Sequence, residues 1–282
     1  MRKLVLAFLM FCSLSLYSAQ YSRLDSVKVM NLLAIAKEKS FNSSSDCALF
    51  FGRKLIGIPY VSSTLEVNKA ERLVVNLRQL DCTTFVENVV ALTVCWKNRT
   101  YTFDYFCNAL RKIRYKGGET ISYTTRLHYF TGWIDDNIRL GLCREVNSPN
   151  PPFTMTQRVY VDYMSTHKDK YPMLVNNVSN QNGIAKMEQE LSGKSYKYIP
   201  KSQINNTKLL RSTIHNGDII AILTNKKGLD TQHVGFAVWH KDGLHLLNAS
   251  SIHKKVIEEP MSLFDYLAKK KSMTGIRIVR LK

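Results

Sequence analysis

Cysteine is scarce and unpatterned in these 282 residues: six in all, with no CxxC spacing. That argues against a zinc ribbon, a dithiol redox pair and a disulfide-built miniprotein. No HExxH helix occurs, and His240, His245 and His253 come without an accompanying Cys/His set, so neither metal nor cofactor is expected. After the first twenty residues no run approaches the roughly 18 apolar residues that a membrane-crossing helix needs. No internal repeat or low-complexity linker divides the chain. Acidic residues are few, 22 against 40 basic, for a net charge of +18. A surface this basic favours an anionic partner: nucleic acid, an acidic membrane face or a cell-wall polymer. No nucleic-acid-binding motif accompanies the charge, which sets the first of these aside. With 45% apolar and 10% aromatic residues, the chain is not disordered.

The first twenty residues, MRKLVLAFLMFCSLSLYSAQ, have the layout of a secretory signal: Arg2 and Lys3, an apolar stretch from Leu4 to Leu16, then Ser18 and Ala19 as small residues at a cleavage site. Residues 1–19 are therefore expected to be a signal peptide, and 20–282 a single exported domain, periplasmic or associated with the cell envelope. A lipid anchor on Cys12 is the alternative. Loss of the signal leaves five cysteines, Cys47, Cys82, Cys95, Cys107 and Cys143, and an odd count in an exported protein leaves at least one thiol unpaired within the chain. Nothing in the sequence sets an oligomeric state.

Helical spacing appears over 24–40, where Val27, Met30, Leu33, Ile35 and Ala36 are expected to share a face. It recurs from Thr83 to about Asn98, with Phe85, Val89, Leu92 and Trp96 repeating and Asp81 as N-cap, and again over Phe103–Ile113 before Gly117-Gly118 breaks the pattern. Ala185–Leu191 reads as a short helix. The last third changes character: 218–224, 233–240, 244–249 and 275–281 are short, β-rich and separated by Gly or Asp turns. Helices first and an antiparallel sheet afterwards indicate an α+β fold.

Three local features carry chemistry. Cys82 opens the strong helix, where free backbone N–H groups and the helix dipole favour a thiolate and can hold an oxyanion. His233 begins an apolar strand and could take the thiol proton and return it to a leaving amine. Asn248 lies on the next strand, fifteen residues on, where its amide oxygen could fix the imidazole. His245 competes for that third place, but strand alternation points it to the opposite face.

A cysteine early on a helix, followed by a histidine and a polar residue on a later sheet, is the papain-like order. Together with GIPYVSSTLE (57–66), ERLVVNLRQLDCTTFVENVVAL (71–92), TRLHYFTGW (125–133), NGDIIAILTNKKGLDTQHVGFAV (216–238) and LLNASS (246–251), it makes the chain resemble the NlpC-type cell-wall cysteine hydrolases, and most closely the N-acetylmuramoyl-L-alanine amidase-like family. The resemblance implies a papain-like domain, N-terminal helices packed on a mainly antiparallel sheet with extra helical insertions. Cys82 would be its nucleophile, His233 its base and Asn248 its orienting residue, the last a departure, since relatives often carry His there. It implies peptidoglycan or its muropeptide fragments as substrate. The bond would be the lactyl–L-Ala amide, or alternatively the γ-D-Glu–diamino acid bond; a wall-binding module without activity is a further alternative. Tyr60 and Thr83 would lie at the oxyanion site or in the cleft. Thr64, Glu66, Arg126, His128, Tyr129 and Trp133 would contact substrate, with Tyr129 and Trp133 equally readable as core aromatics.

Overall fold

The computed structural model describes residues 19–282; residues 1–18 of the expected signal peptide, Cys12 among them, lie outside that range. The first helix, α1 (Arg23–Lys37), starts at a reciprocal Ser22–Asp25 capping box. Its inward face is Asp25, Val29, Leu32, Leu33 and Ala36, whereas Val27, Met30 and Ile35 are exposed. The expected face is thus rotated. The helix carries apolar residues around much of its circumference, and Asp25 settles the choice by accepting from Leu77 N at 2.9 Å and pairing with Arg78. Next come α2 (Ser44–Lys54), which the apolar pattern did not reveal, α3 (Cys82–Lys97) and α4 (Phe103–Arg114). Residues 73–80 between them form neither helix nor strand, only single bridges at Val74 and Leu80.

The middle of the chain holds α5 (Phe130–Arg139), β1 (Cys143–Val146), β2 (Met155–Arg158), α6 (Tyr163–Thr166), α7 (Val178–Leu191), β3 (Ser195–Pro200) and α8 (Lys208–Thr213). The helix expected at Ala185 begins seven residues earlier. Its first two turns are polar and exposed, so they show no apolar period, and Asn177 caps them. The last part is β4 (Ile219–Thr224), β5 (Thr231–Trp239), β6 (Leu244–Ser250), β7 (Lys255–Glu258), α9 (Leu263–Ala268) and β8 (Met273–Leu281).

All strand pairs are antiparallel, in the order β2-β3-β8-β4-β5-β6-β7, with β1 also on β8. Strand alternation sorts the sheet into two faces. Ile219, Ala221, Val234, Phe236, Leu247 and Ala249 face the core built with α1–α4. Ile220, Ile222, Ala237, Leu244 and Leu246 face the opposite core, closed by Leu263, Tyr266 and Leu267 of α9. Phe85 of α3 meets Phe236 of β5 edge-on at 5.7 Å between centroids, which fixes the start of α3 against the sheet. Residues of the middle segment, among them Val159, Met164 and Ile184, belong to a separate small core with Tyr123 and Tyr129.

Candidate active site

Cys82 is the first residue of α3. Asp81 caps the helix: its Oδ1 accepts from Thr84 N at 2.8 Å, and Thr84 Oγ1 accepts in turn from Asp81 N at 2.9 Å. The thiol is partly exposed. Backbone N–H groups of Thr83 and Val234 and the Thr83 hydroxyl approach the sulfur and favour the thiolate. They do not prevail. Burial, reinforced by the Asp81 carboxylate, pushes the Cys82 thiol up to about 12, the reverse of what a helix start alone leads one to expect. Desolvation outweighs the fractional charge of a helix terminus, so ionising this thiol would call for a base at hand.

That base stands in the same cleft. His233 and Cys82 both line it, with Thr83, Tyr129, Asp230 and Val234. His233 Nε2 lies 2.8 Å from Asn248 Oδ1. The amide orientation follows from its other end: Asn248 Nδ2 donates to Leu246 O at 3.2 Å and to Glu259 Oε1 at 3.1 Å. With the NH2 so engaged, the amide oxygen must accept from His233, which places the imidazole proton on Nε2 and leaves Nδ1 as the acceptor. Burial lowers the His233 pKa, while Asn248 and the nearby charges of Glu259 and Asp81 raise it in part, so the ring is held neutral. Gly235 makes this pairing possible: a Cβ there would come within 2.9 Å of Asn248 Cβ and 2.7 Å of Leu247 O.

Glu259 was not visible as a site residue in the sequence. It is buried, follows β7, and binds Asn248 through one oxygen and His253 Nε2, at 3.2 Å, through the other. Tyr266 of α9 was missed as well; its ring stacks near His233 at 6.4 Å between centroids. The competing His245 is turned away. Its Nδ1 meets Glu259 O at 2.8 Å and its Nε2 meets Asp242, on the sheet face opposite Asn248.

The remaining expected residues divide. Tyr60 stays with the site: it bridges to Leu80, just before Asp81, and burial together with the charges of Cys82 and Asp81 pushes its phenol up to about 12. Thr83, His128 and Tyr129 line the cleft. Burial and Arg126 hold His128 well below the ordinary imidazole value, and it bonds Tyr123 O at 2.7 Å. The Tyr129 hydroxyl donates to Glu188 at 2.6 Å. Trp133 is wholly buried, stacked on Phe130 at 4.8 Å, and is a core aromatic that no ligand can reach. Arg126 is not the free cation its sequence context suggests. It is 4% exposed, ion-paired with Glu66 and Glu71, and lies over Tyr123. Thr64 is buried beside this cluster rather than in the cleft. Two further acids near the start of α3 and of β5 are engaged within the protein. Glu87 forms a buried pair with Arg114 at 2.7 Å. Asp230 caps α5 from a distance, accepting from Thr131 N at 2.6 Å, and so joins the start of β5 to the helix whose first turn walls the cleft.

Comparison with known proteins places the chain. Residues 50–276 match the family model described as N-acetylmuramoyl-L-alanine amidase-like. Among solved structures it is similar to an N-acetylmuramoyl-L-alanine amidase from Bacteroides uniformis, at 38% identity and a TM-score of 0.79, over 85% of this chain and 99% of that one. It is also similar to a Bacteroides fragilis protein described as a candidate xylanase, at 39% identity and a TM-score of 0.77, over 83% and 100% of the two chains. A Legionella pneumophila protein, at 22% identity and a TM-score of 0.69, over 91% and 94%, shares the fold. No curated protein matches. The chain belongs to the N-acetylmuramoyl-L-alanine amidase-like family.

Proposed function

We propose that this protein is an exported peptidoglycan hydrolase with a papain-like, NlpC-type domain over residues 20–282, and that it cleaves the amide between the lactyl group of N-acetylmuramic acid and L-Ala of the stem peptide. Cys82 passes its proton to Nδ1 of His233 as the sulfur attacks the carbonyl, forming a tetrahedral oxyanion. The Cys82 and Thr83 ends of α3 and the Tyr60 hydroxyl lie where that charge develops. Collapse expels the stem amine, which takes the proton from the imidazolium, and leaves a thioester on Cys82. His233 then removes a proton from water, and hydroxide releases the lactyl carboxylate and restores the thiol. Every role is filled by a side chain or the backbone, so these steps call for no metal.

The observation that carries this reading is the His233–Asn248 bond at 2.8 Å in the cleft shared with Cys82. Glycoside cleavage, which the name of the Bacteroides fragilis neighbour raises, finds less support. It ordinarily needs two facing carboxyl groups, and Asp230, whose oxygens are engaged by Thr131 and Thr231, is the one acid lining the cleft among the described residues.

Digestion of defined muropeptides followed by mass spectrometry tests the bond. A free sugar with an intact stem peptide is expected. A dipeptide left on the sugar would move the cut to the γ-D-Glu–diamino acid bond. Binding to sacculi with no product from either substrate would make the chain a wall-binding module.

A further inference from the structure

At the far end of the same hairpin, on the other sheet face, His240, Asp242 and His245 come together. Each presents one ligand-type atom, and the three lie within 4.8 Å of one another. The turn that carries them is closed by His240 N donating to Gly243 O at 2.8 Å. The two imidazoles stack with centroids 4.1 Å apart and 21° between planes.

The hydrogen bonding of His245 is overcommitted to oxygen. Its Nδ1 faces Glu259 O at 2.8 Å, and its Nε2 faces both oxygens of Asp242, each at 3.1 Å. A neutral imidazole has one N–H and cannot serve both sides. The Glu259 carbonyl takes that N–H on Nδ1, as a backbone carbonyl commonly does behind a metal-bound histidine. The Nε2 then faces a carboxylate, and either a second proton or a bound cation must stand between them. Two ligands bonded to one ion at about 2.1 Å stand about 3.0–3.4 Å apart for angles of 90–110°, which is the separation observed. Glu258 stands behind the cluster: its Oε1 contacts His240 Nε2, while its Oε2 is held by Arg53 at 3.1 Å. Arg211, the other nearby guanidinium, is spent on the carbonyls of His240 and Lys241.

We infer that the β5–β6 hairpin binds a divalent transition cation of the zinc, cobalt or nickel class through His240, Asp242 and His245. Two imidazoles and a carboxylate suit those ions rather than calcium or magnesium. The spacing H-x-D-x-x-H matches no helical metal motif; only the hairpin turn brings its members together. The site lies apart from the steps at Cys82, and its effect is to clamp the two strands that carry His233 and Asn248.

Cobalt(II) titration of tag-free protein carrying Cys82→Ala tests this. A saturable one-to-one rise in visible d–d absorption is expected, without the near-ultraviolet charge-transfer band of a thiolate ligand, together with a rise in Tm. His245 is buried and its replacement could harm folding, so the deciding variants are Asp242→Asn and His240→Ala, whose side chains are largely or partly exposed. Each should weaken binding by at least about tenfold. No d–d band at millimolar cobalt, a thiolate band, or binding untouched by both variants would overturn the assignment.

Discussion

Two buried polar clusters adjoin the Cys82 cleft, and they differ in how fully their hydrogen bonds are made. In the first, Asn248 and Glu259 use both ends of their side chains: His233, Asn248, Glu259 and His253 form an unbroken row. In the second, Arg126 binds Glu66 and Glu71 by charge, yet Glu66 Oε2, Glu71 Oε2 and Tyr123 OH lack partners among the described residues. A fully paired row admits one arrangement and so fixes a ring and its tautomer. A cluster held by charge resists the removal of a charge but leaves its polar atoms free to rearrange. The first cluster should therefore govern rate, and the second stability.

The largest effect should follow from cutting the paired row at its centre. Asn248→Ala frees the imidazole to rotate and to adopt the wrong tautomer, and should lower kcat on muropeptides by on the order of 10²–10⁴ with little change in KM or Tm. Steady-state kinetics beside thermal unfolding reads both. A loss confined to Tm would put Asn248 in the same class as the Arg126 cluster.

Arg126→Met makes the opposite test. It strands two carboxylates, one of them on a residue 5% exposed, and should cost about 3–5 kcal/mol of stability, read as a fall in the denaturation midpoint, while the folded fraction keeps its kcat. A rise in KM at unchanged stability would restore the substrate-binding role that the sequence context suggests.

These two clusters also mark where sequence reading stops. That Cys82, His233 and Asn248 would come together was legible because each depends on local pattern: a helix start, a strand start, and alternation on the next strand that separates Asn248 from His245. Glu259 and Tyr266 join them through pairing and packing between segments whose order in the chain says nothing about distance. The pairing of Arg126, the choice between the two readings of Trp133 and the buried face of α1 lay beyond the sequence for a related reason. Residue type suggests a cation or a stacking ring, but burial depends on which neighbours arrive, and Asp25, Glu66, Glu71 and Phe130 arrive from elsewhere in the chain. Strands β4, β5, β6 and β8 were found because their alternation and turn residues are local; β7, α8 and α9 are too short to show a period.

A smaller effect separates orientation from charge within the paired row. Glu259→Gln keeps a hydrogen-bond acceptor for Asn248 Nδ2 but removes the negative charge that raises the His233 pKa. Activity requires neutral His233, so it falls as pH drops through the pKa of that ring, which burial already sets below the ordinary value. Removing the Glu259 charge lowers that pKa further, so the acid limb of kcat/KM should move to lower pH. Less support for the imidazolium should at the same time reduce kcat by about tenfold. An unmoved limb would mean that Glu259 only positions Asn248.

The smallest expected change concerns Asp81, which serves α3 as a cap and opposes Cys82 as a charge. Asn caps a helix about as well as Asp, whereas Ala costs about 1 kcal/mol. Asp81→Asn therefore keeps the helix start and removes one of the two causes that raise the Cys82 thiol toward about 12. The thiol pKa should fall, and at a fixed pH below it the thiolate fraction and the iodoacetamide alkylation rate should rise severalfold, with Tm unchanged. Asp81→Ala gains the same charge effect but should lose stability. Because burial is the larger cause, neither variant should bring the thiol to its ordinary value, and proton transfer to His233 stays necessary. Alkylation no faster in Asp81→Asn than in the parent would show that desolvation alone sets the thiol, and that the row ending at His233 is its sole activator.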